Sequence, residues 1–321
     1  LKETPKQPEL KFDFPGAILS IIGFGTLLLA LSKGQSEGWD SFFIVSLLFV
    51  AISSLVLFVW VETGRESPLL DFSLLKIPVF TLSVISSSFV MMGMMGGIFL
   101  MPIFLQNIQG MSAVDSGLLL MPQSIAMALM MPISGKLFDK YGIGPVGLVG
   151  MLVMGVTTYE LPPLPADTPH GWLNTVLTIR GIGIGLCMQT LSTAGMNAIP
   201  RASVGKASSL SNVIRQVMSS FGIAILTTIM SSRQSFHAAA ISDSESVTST
   251  TASEALQGLT ELFMQAGVDA ATAQGGAASV LAGMIAKEAV VRGIADALLV
   301  SAIPIFLSIP FIFFMHKKPP K

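Results

Sequence analysis

Half of the 321 residues are hydrophobic (51%), only 12% are charged and the mean hydropathy is +0.72, a composition too apolar for an ordinary water-soluble domain. The net charge of −1 gives no basic field, which argues against a nucleic-acid partner. A single cysteine excludes a disulfide framework, and three histidines in separate polar segments favour surface positions over a metal site; no cofactor is predicted.

Eight stretches are long and apolar enough to cross about 30 Å of hydrocarbon as helices. They predict an all-α, polytopic transmembrane helical bundle. The predicted spans are 15–32, 42–61, 78–105, 116–137, 141–160, 172–199, 206–230 and 293–315.

The distribution of basic residues between successive connections predicts the orientation, because Lys and Arg are commoner on the cytoplasmic side. With the N-terminus inside, the inner segments hold twelve basic residues and the outer ones four. The inner set is Lys2, Lys6, Lys11, Arg65, Lys76, Lys136, Lys140, Arg201, Lys206, Lys317, Lys318 and Lys321; the outer set is Lys33, Arg233, Lys287 and Arg292. We therefore expect both ends of the chain in the cytoplasm.

A charged inner segment around residues 61–76 separates the first two spans from the other six. This predicts two units, residues 1–77 with two linking helices and residues 78–321 with six spans, a number that suits two three-helix repeats. The chain begins with Leu1 and a polar segment unlike a signal peptide, so we expect an excerpt of a longer protein.

The third and fourth spans are rich in methionine and proline. Methionine most often fills apolar gaps, but it also forms deformable surfaces that accept ligands of different shapes. Met95 and Gln106 are the candidates from the third span for the lining of a substrate cavity.

The segment GKLFDKYG (135–142) connects the fourth and fifth spans on the inner side. Glycine at 135 and 142 gives the backbone freedom that a tight turn needs, and Asp139 is expected near a helix start, where the helix dipole favours a carboxylate.

Arg180 lies within an apolar run of the sixth span and is followed by glycines at 181, 183 and 185. Gly181 and Gly185 have the spacing that lets two helices approach closely, so a packing role is favoured for this stretch. The run lacks the third glycine and the preceding strand of a dinucleotide-binding loop.

Four polar residues of the seventh span lie on one helical face: Ser208, Asn212, Arg215 and Ser219, with Gln216 beside them. An arginine at membrane depth costs about 2.5–3.5 kcal/mol on insertion scales and needs a polar partner or water. Two interpretations are open: a solvated transport cavity, with Arg215, Asn212 and Gln216 in its lining, or hydrogen bonds that only lock the bundle.

Residues 231–292 form the longest region outside the predicted spans, on the outer side. A Ser/Thr-rich start and apolar residues at helical spacing from Leu256 onward predict two amphipathic helices lying on the membrane surface; a mobile loop is the alternative.

No predicted span holds a central carboxylate, and Asp115, Glu160 and Asp296 near span ends are expected to be end caps. The chain has no HExxH or GxSxG motif and no paired intramembrane aspartates, which argues against an enzyme.

Four stretches carry a family resemblance: 12–39, 98–142, RGIGIGLCM (180–188) and GKASSLSNVIRQVMSSFGIAI (205–225). They resemble the fourteen-helix drug:proton antiporters of the major facilitator superfamily, the EmrB/QacA type. The resemblance implies that the chain corresponds to the last eight of fourteen helices, two linking helices and a six-helix C-terminal half.

The resemblance further implies a multidrug efflux transporter of the plasma membrane, with small lipophilic or cationic substrates, protons, membrane lipid and an N-terminal six-helix half as partners. It implies a cytoplasmic gating role for Gly135, Asp139 and Gly142, and a packing or coupling role for Arg180, Gly181 and Gly185. The family's proton-linked acidic residue lies in the other half. Two alternatives stay open: a transporter of one specific solute, and a membrane binding or sensory module acting through residues 231–292.

Overall fold

The computed structural model describes residues 14–64, 70–161, 165, 167–244 and 250–315, without the side chains of 242–244 and 250–252. In these ranges the regular structure is entirely helical, and eight helical segments are long and apolar enough to cross a membrane. The helices are α1 (Phe14–Glu37), α2 (Phe42–Thr63), α3 (Pro78–Met95), α4 (Met101–Ile103), α5 (Ala113–Tyr141), α6 (Ile143–Glu160), α7 (His170–Asn197), α8 (Val204–Ser244), α9 (Thr250–Gln265) and α10 (Ala270–Phe314). The predicted number of spans and the all-α class are confirmed.

The third span, Pro78–Ile108, is helical throughout but not uniformly α-helical. Two π-helical segments, Gly96–Leu100 and Phe104–Ile108, flank the short α4. Pro102 in α4 has no N–H to donate to a helical hydrogen bond, and Gly96 and Gly97 at the first π segment leave the backbone free to deviate. We call Pro78–Ile108 the broken span.

The sides of the helices that face away from the bundle are strongly apolar. In α2, Phe42 is 89% exposed, Phe49 72% and Trp60 74%. Such a surface matches lipid and would be a large unfavourable patch in water.

Helices α1 and α2 pack together and attach to the remaining helices through α8. Leu27 and Leu31 of α1 form an apolar cluster with Ala51 of α2 and Ala224 of α8. The Trp39 indole Nε1 also donates a hydrogen bond of 3.2 Å to the Thr228 hydroxyl of α8.

In the six-helix part, α7 lies between α5 and α6, whereas α10 packs against α8, α6 and α3. One apolar cluster joins the distal part of the broken span to α7 and α10. Its fully buried members include Leu100, Met101, Phe104, Leu105, Leu173, Ile294 and Leu298. This packing fixes the position of the broken span against its neighbours.

Residues 231–292 differ from the prediction. α8 continues to Ser244 and α10 begins at Ala270, so most of the region prolongs the spanning helices. Of the two predicted amphipathic helices, the first corresponds to α9, whereas the prediction of a second separate helix is wrong because that segment is part of α10. Only α9 is a separate helix, and it packs against α10. α8 has 41 residues, or about 60 Å at 1.5 Å per residue, about twice the hydrocarbon thickness. Part of the Ser/Thr-rich stretch, 245–249, lies outside the described residues.

The reason for this difference is helix propensity. The spanning pattern ends where apolar residues become sparse, but alanine-rich stretches follow in α8 (238–240) and precede in α10 (270–289), and alanine is the best helix former. Contacts between α8 and α10 also reach beyond the apolar part of α8: the Gly293 backbone lies so close to α8 that a Cβ there would be 3.1 Å from the Gln234 nitrogen.

Candidate functional site

The polar side chains of α8 lie on the one face that the bundle leaves uncovered. Asn212 and Gln216 are exposed and Arg215 is half-buried. One terminal nitrogen of Arg215, Nη2, donates a hydrogen bond to the Asn212 side-chain oxygen. Asn212 therefore orients the guanidinium along the helix and neutralises none of its charge.

The other faces of α8 are occupied by apolar contacts. Ala207 and Leu210 belong to a cluster with Phe58 and Phe80, and Ala224 packs on α1. Ser219, which the sequence places on the polar face, is buried, and its hydroxyl donates to the Gln216 carbonyl of its own helix at 2.8 Å. Ser208 is partly buried, so the exposed part of the polar face consists of Asn212, Arg215 and Gln216, without Ser219.

Arg215 has no carboxylate within ion-pair distance among the described side chains. A guanidinium on a mainly apolar helix therefore needs water or polar groups in front of it. The structure shows an uncovered polar helix face around Arg215.

Arg180 occupies a different environment, fully buried between α3, α6 and α7. Its Nε donates to the Thr158 hydroxyl of α6 at 2.9 Å, and its Nη2 lies 3.4 Å from the carbonyl oxygens of both Gly93 and Met94 in α3. Its Nη1 has no hydrogen-bond partner in the described part of the chain. The side chain links three helices and does not face an open site.

The glycines that follow Arg180 contact helices on both sides of α7. A Cβ at Gly185 would lie 2.7 Å from the Met127 carbonyl oxygen of α5, and one at Gly181 would clash with the Gln123 carbonyl of the same helix. Gly183 faces α6, where a Cβ would be 2.6 Å from the Met154 nitrogen. Gly181 and Gly185 thus line a close α5–α7 contact.

The turn between α5 and α6 is formed by Gly142, whose φ of 78° is in the left-handed region that favours glycine. Its N–H donates to the Phe138 carbonyl at 2.8 Å and closes the end of α5. Asp139 is exposed in the last turn of α5, so its predicted position at a helix start is wrong. A side chain at Gly135 would meet no atom within 4 Å, so packing does not require glycine there.

The two candidates from the broken span lie in different surroundings. Met95, at the end of α3, is partly buried and packs against two apolar clusters of the interior. Gln106 is exposed in the second π segment. Met95 therefore fills space between helices, and Gln106 is available at the surface.

Comparison with known proteins decides the family. A profile of the Major Facilitator Superfamily matches residues 15–223, about two thirds of the chain. The chain belongs to the Major Facilitator Superfamily. The members of this superfamily are membrane transporters rather than enzymes.

Similar members of the superfamily include bacterial proteins. The chain is 39% identical over 245 residues to the MFS-type transporter YhcA of Bacillus subtilis, covering 76% of this chain and 46% of that protein. It is 35% identical over 225 residues to the multidrug transporter protein MdtP of Bacillus subtilis (70% and 42%), and 32% identical over 224 residues to the lincomycin resistance protein LmrB of Listeria monocytogenes (70% and 48%). The chain spans about half the length of the curated relatives it matches.

A solved structure shows the same fold. A bacterial homologue of the human lysosomal transporter Spinster, in an inward-facing and unoccupied conformation, aligns with a TM-score of 0.53 at 14% identity, covering 94% of this chain and 66% of that one.

One polar cluster of this superfamily member was missed by the sequence reasoning. Asp296 of α10 binds two residues of α8: its Oδ2 accepts from the Arg233 Nε at 2.6 Å and lies 2.8 Å from the His237 Nε2. The expected end-cap role of Asp296 is wrong, because it lies within α10. The spacing of Arg233 and His237 by four was an available signal, but the partner helix was not known.

Asp115 differs from Asp296 because it lies in the first turn of α5. Its backbone N–H donates to the hydroxyl of the capping residue Ser112 at 3.1 Å, and that hydroxyl lies 2.7 Å from the Asp115 carboxylate. No group of three or more His, Cys, Asp or Glu residues suited to a metal ion occurs in the described ranges.

Proposed function

We propose that this chain forms the C-terminal portion of a fourteen-helix multidrug efflux transporter, which exports its substrates in exchange for protons by alternating access. Two kinds of finding support the proposal. Relatives at 32–35% identity are named a multidrug transporter and a lincomycin resistance protein, and the chain spans about half of each. Its first two helices pack beside a six-helix bundle, as two linking helices would.

The observation that carries the proposal is the uncovered polar face of α8, formed by Asn212, Arg215 and Gln216. A second set of helices facing this surface would enclose a water-containing cavity and remove the cost of exposing Arg215 to lipid. A permanent positive charge repels a cationic group, so Arg215 favours the uncharged or hydrogen-bond-accepting part of a lipophilic substrate. A cationic part would bind elsewhere in the cavity.

The basic-residue asymmetry supports a plasma-membrane orientation with both ends of this chain in the cytoplasm. In that orientation the α5–α6 turn with Asp139 and Gly142 lies on the cytoplasmic side, where it would act in gating. The polar face itself holds no carboxylate, and the buried carboxylate of the described spans, Glu62 near the end of α2, accepts from the Leu70 N–H at 3.4 Å. The proton site is therefore assigned to the helices that complete the transporter.

The proposal is tested by Arg215→Gln in the full-length protein, expressed in cells that lack other efflux pumps. We expect proton-gradient-driven efflux of a fluorescent lipophilic dye to fall about tenfold, because the cavity wall loses its charge. The matched control is Arg292→Gln, since Arg292 pairs with Glu288 on the exposed side of α10. Unchanged efflux in Arg215→Gln would remove the residue from the cavity, and transport of only one of several unrelated dyes would contradict the multidrug function.

A further inference from the structure

The break in the third span decides which side chains its distal half presents to each neighbour. A π-helical turn contains one more residue than an α-helical turn, so every following side chain is rotated by about 100° relative to an unbroken helix. With this register Leu100, Phe104 and Leu105 are buried, whereas Gln106 and Asn107 are exposed. An unbroken α-helix would turn a different set outward.

The backbone at the break is in contact with Arg180. The carbonyls of Gly93 and Met94, at the end of α3, both accept from the Arg180 Nη2, and the first π segment begins two residues after Met94. Gly97 within that segment lies against the guanidinium, so that a Cβ there would clash with Nη1. Because Gly97 has no side chain, the Arg180 guanidinium can lie directly beside the break.

α10 supports the same segment from another side. A Cβ at Gly93 would lie 2.6 Å from the Ser301 carbonyl oxygen, and one at Gly96 would lie 2.6 Å from the Ser301 Cβ. The break is therefore held between the α10 backbone and a guanidinium from α7.

The bonds of Arg180 form a chain that reaches a third helix. Arg180 Nε donates to the Thr158 hydroxyl, and that hydroxyl donates to the Met154 carbonyl of α6 at 2.7 Å. The described side chains include no carboxylate partner for Arg180, and burying a charge is costly unless hydrogen bonds offset the lost hydration. Its bonds go to neutral oxygens of α3 and α6, so the arrangement fits a mechanical link between helices better than an ion pair.

We propose that Arg180 is a positioning residue: it fixes the π-helical register of the broken span by anchoring the Gly93 and Met94 carbonyls to Thr158, and so determines the face that Gln106 and its neighbours present to substrate. The claim that this face meets substrate rests on the proposed transport function. The claim that Arg180 fixes the π-helical register does not depend on that function.

The test compares two adjacent threonines of α6. Thr158→Val removes the acceptor of Arg180 Nε, whereas Thr157→Val removes a hydroxyl that bonds only carbonyls of its own helix, those of Val153 and Met154. In the full-length protein we expect Thr158→Val to raise the hydrogen-exchange rate of amides 97–101 and 103–105 by about tenfold. Thr157→Val should leave these rates within about twofold of wild type.

Arg180→Lys separates charge from geometry. A single ammonium keeps the charge but lacks the planar fork that reaches Thr158 and the α3 carbonyls together, so this variant should resemble Thr158→Val. Because Arg180→Lys can fail to fold, Thr158→Val decides the register claim on its own. Equal exchange in the two threonine variants, or wild-type exchange in a folded Arg180→Lys, would overturn the inference.

The transport readout is the split between apparent KM and maximal rate for dye efflux. Thr158→Val should change the apparent KM about fivefold or more and differently for different dyes, with the maximal rate within about twofold, because the substrate-facing side is altered. Faster exchange with unchanged KM values would overturn the positioning role. Faster exchange in a protein whose wild type transports no dye would leave the register assignment intact and contradict the proposed function instead.

Discussion

Single glycines set how closely α7 approaches its two neighbours. Gly181 and Gly185 face α5, and Gly183 faces α6 at a similarly short distance. The close α5–α7 contact brings the Ser134 hydroxyl within 2.8 Å of the Leu186 carbonyl. In a membrane, where lipid is as apolar as the helices, such backbone proximity and hydrogen bonding provide much of the association energy.

We predict that Gly185→Ala destabilises the protein by about 1–3 kcal/mol, because its methyl group would push against the Met127 backbone and overpack the interface. The control is Gly283→Ala in α10, where a Cβ meets no atom within 4 Å. There the change should stabilise the helix by about 0.5–1 kcal/mol. Thermal unfolding in detergent measures both, and equal midpoints for the two variants would contradict the tight α5–α7 contact.

The sequence around Arg180 predicts its burial but not its hydrogen-bond partners. The apolar run and its glycines indicated a residue held inside the bundle, and full burial agrees with that interpretation. Its acceptors could not be predicted, because Thr158 and the Gly93 carbonyl are 22 and 87 residues away along the chain. Only the folded arrangement brings them together.

Among the elements, α8 and α10 are the longest helices and form a two-helix projection beyond the apolar parts of their spans. The Arg233 and His237 bonds to Asp296 join the two helices near the base of this projection. The hydropathy pattern located the membrane-spanning parts of both helices. It did not show that the helices continue into water, because hydropathy distinguishes lipid from water around a segment and does not indicate its backbone conformation.

The start of α10 depends on Asp269, whose carboxylate accepts from the Thr272 N–H at 3.1 Å. Hydrogen bonds from Thr272 lower the pKa of Asp269 below the ordinary value of an aspartate. The stabilisation is therefore present above the pKa of an unfolded aspartate, about 3.9, and is lost as pH falls through the lowered folded pKa.

We predict that the amides of Thr272 and Ala273, which donate to Asp269, lose protection against hydrogen exchange when the pH falls below about 4, after correction for intrinsic exchange rates. Asp269→Asn keeps a capping oxygen that does not titrate, so its protection should be independent of pH over the same range. Asp269→Ala should show low protection at every pH. A pH response in Asp269→Asn like that of the wild type would assign the effect to another group.

For the whole molecule, the direction of insertion is the main expectation that the fold does not decide. The basic-residue distribution predicts a cytoplasmic α5–α6 turn, and with the three spans α6, α7 and α8 between them it predicts that α9 lies on the opposite side. The sequence contains one cysteine, Cys187, which is buried, so single introduced cysteines report accessibility cleanly.

We predict that a membrane-impermeant maleimide labels Ser253→Cys in intact cells and labels Lys136→Cys only after permeabilisation. Both positions are exposed in the structure, so failure to label reflects the membrane and not burial. The reverse pattern would invert the orientation. Labelling of both positions from one side would contradict the three intervening spans.

Composition and spacing by themselves predicted the eight membrane-spanning helices found in the described part of this chain, and they located the polar positions of α8. These are local properties, because a helix of about 20 apolar residues is stable in lipid whatever its neighbours are. The tertiary structure alone decided the break in the third span, the partners of Arg180 and Asp296, the burial of Ser219 and the lengths of α8 and α10. Each of these depends on contacts between residues far apart in the chain. Such contacts form and stabilise the protein only once the helices have packed.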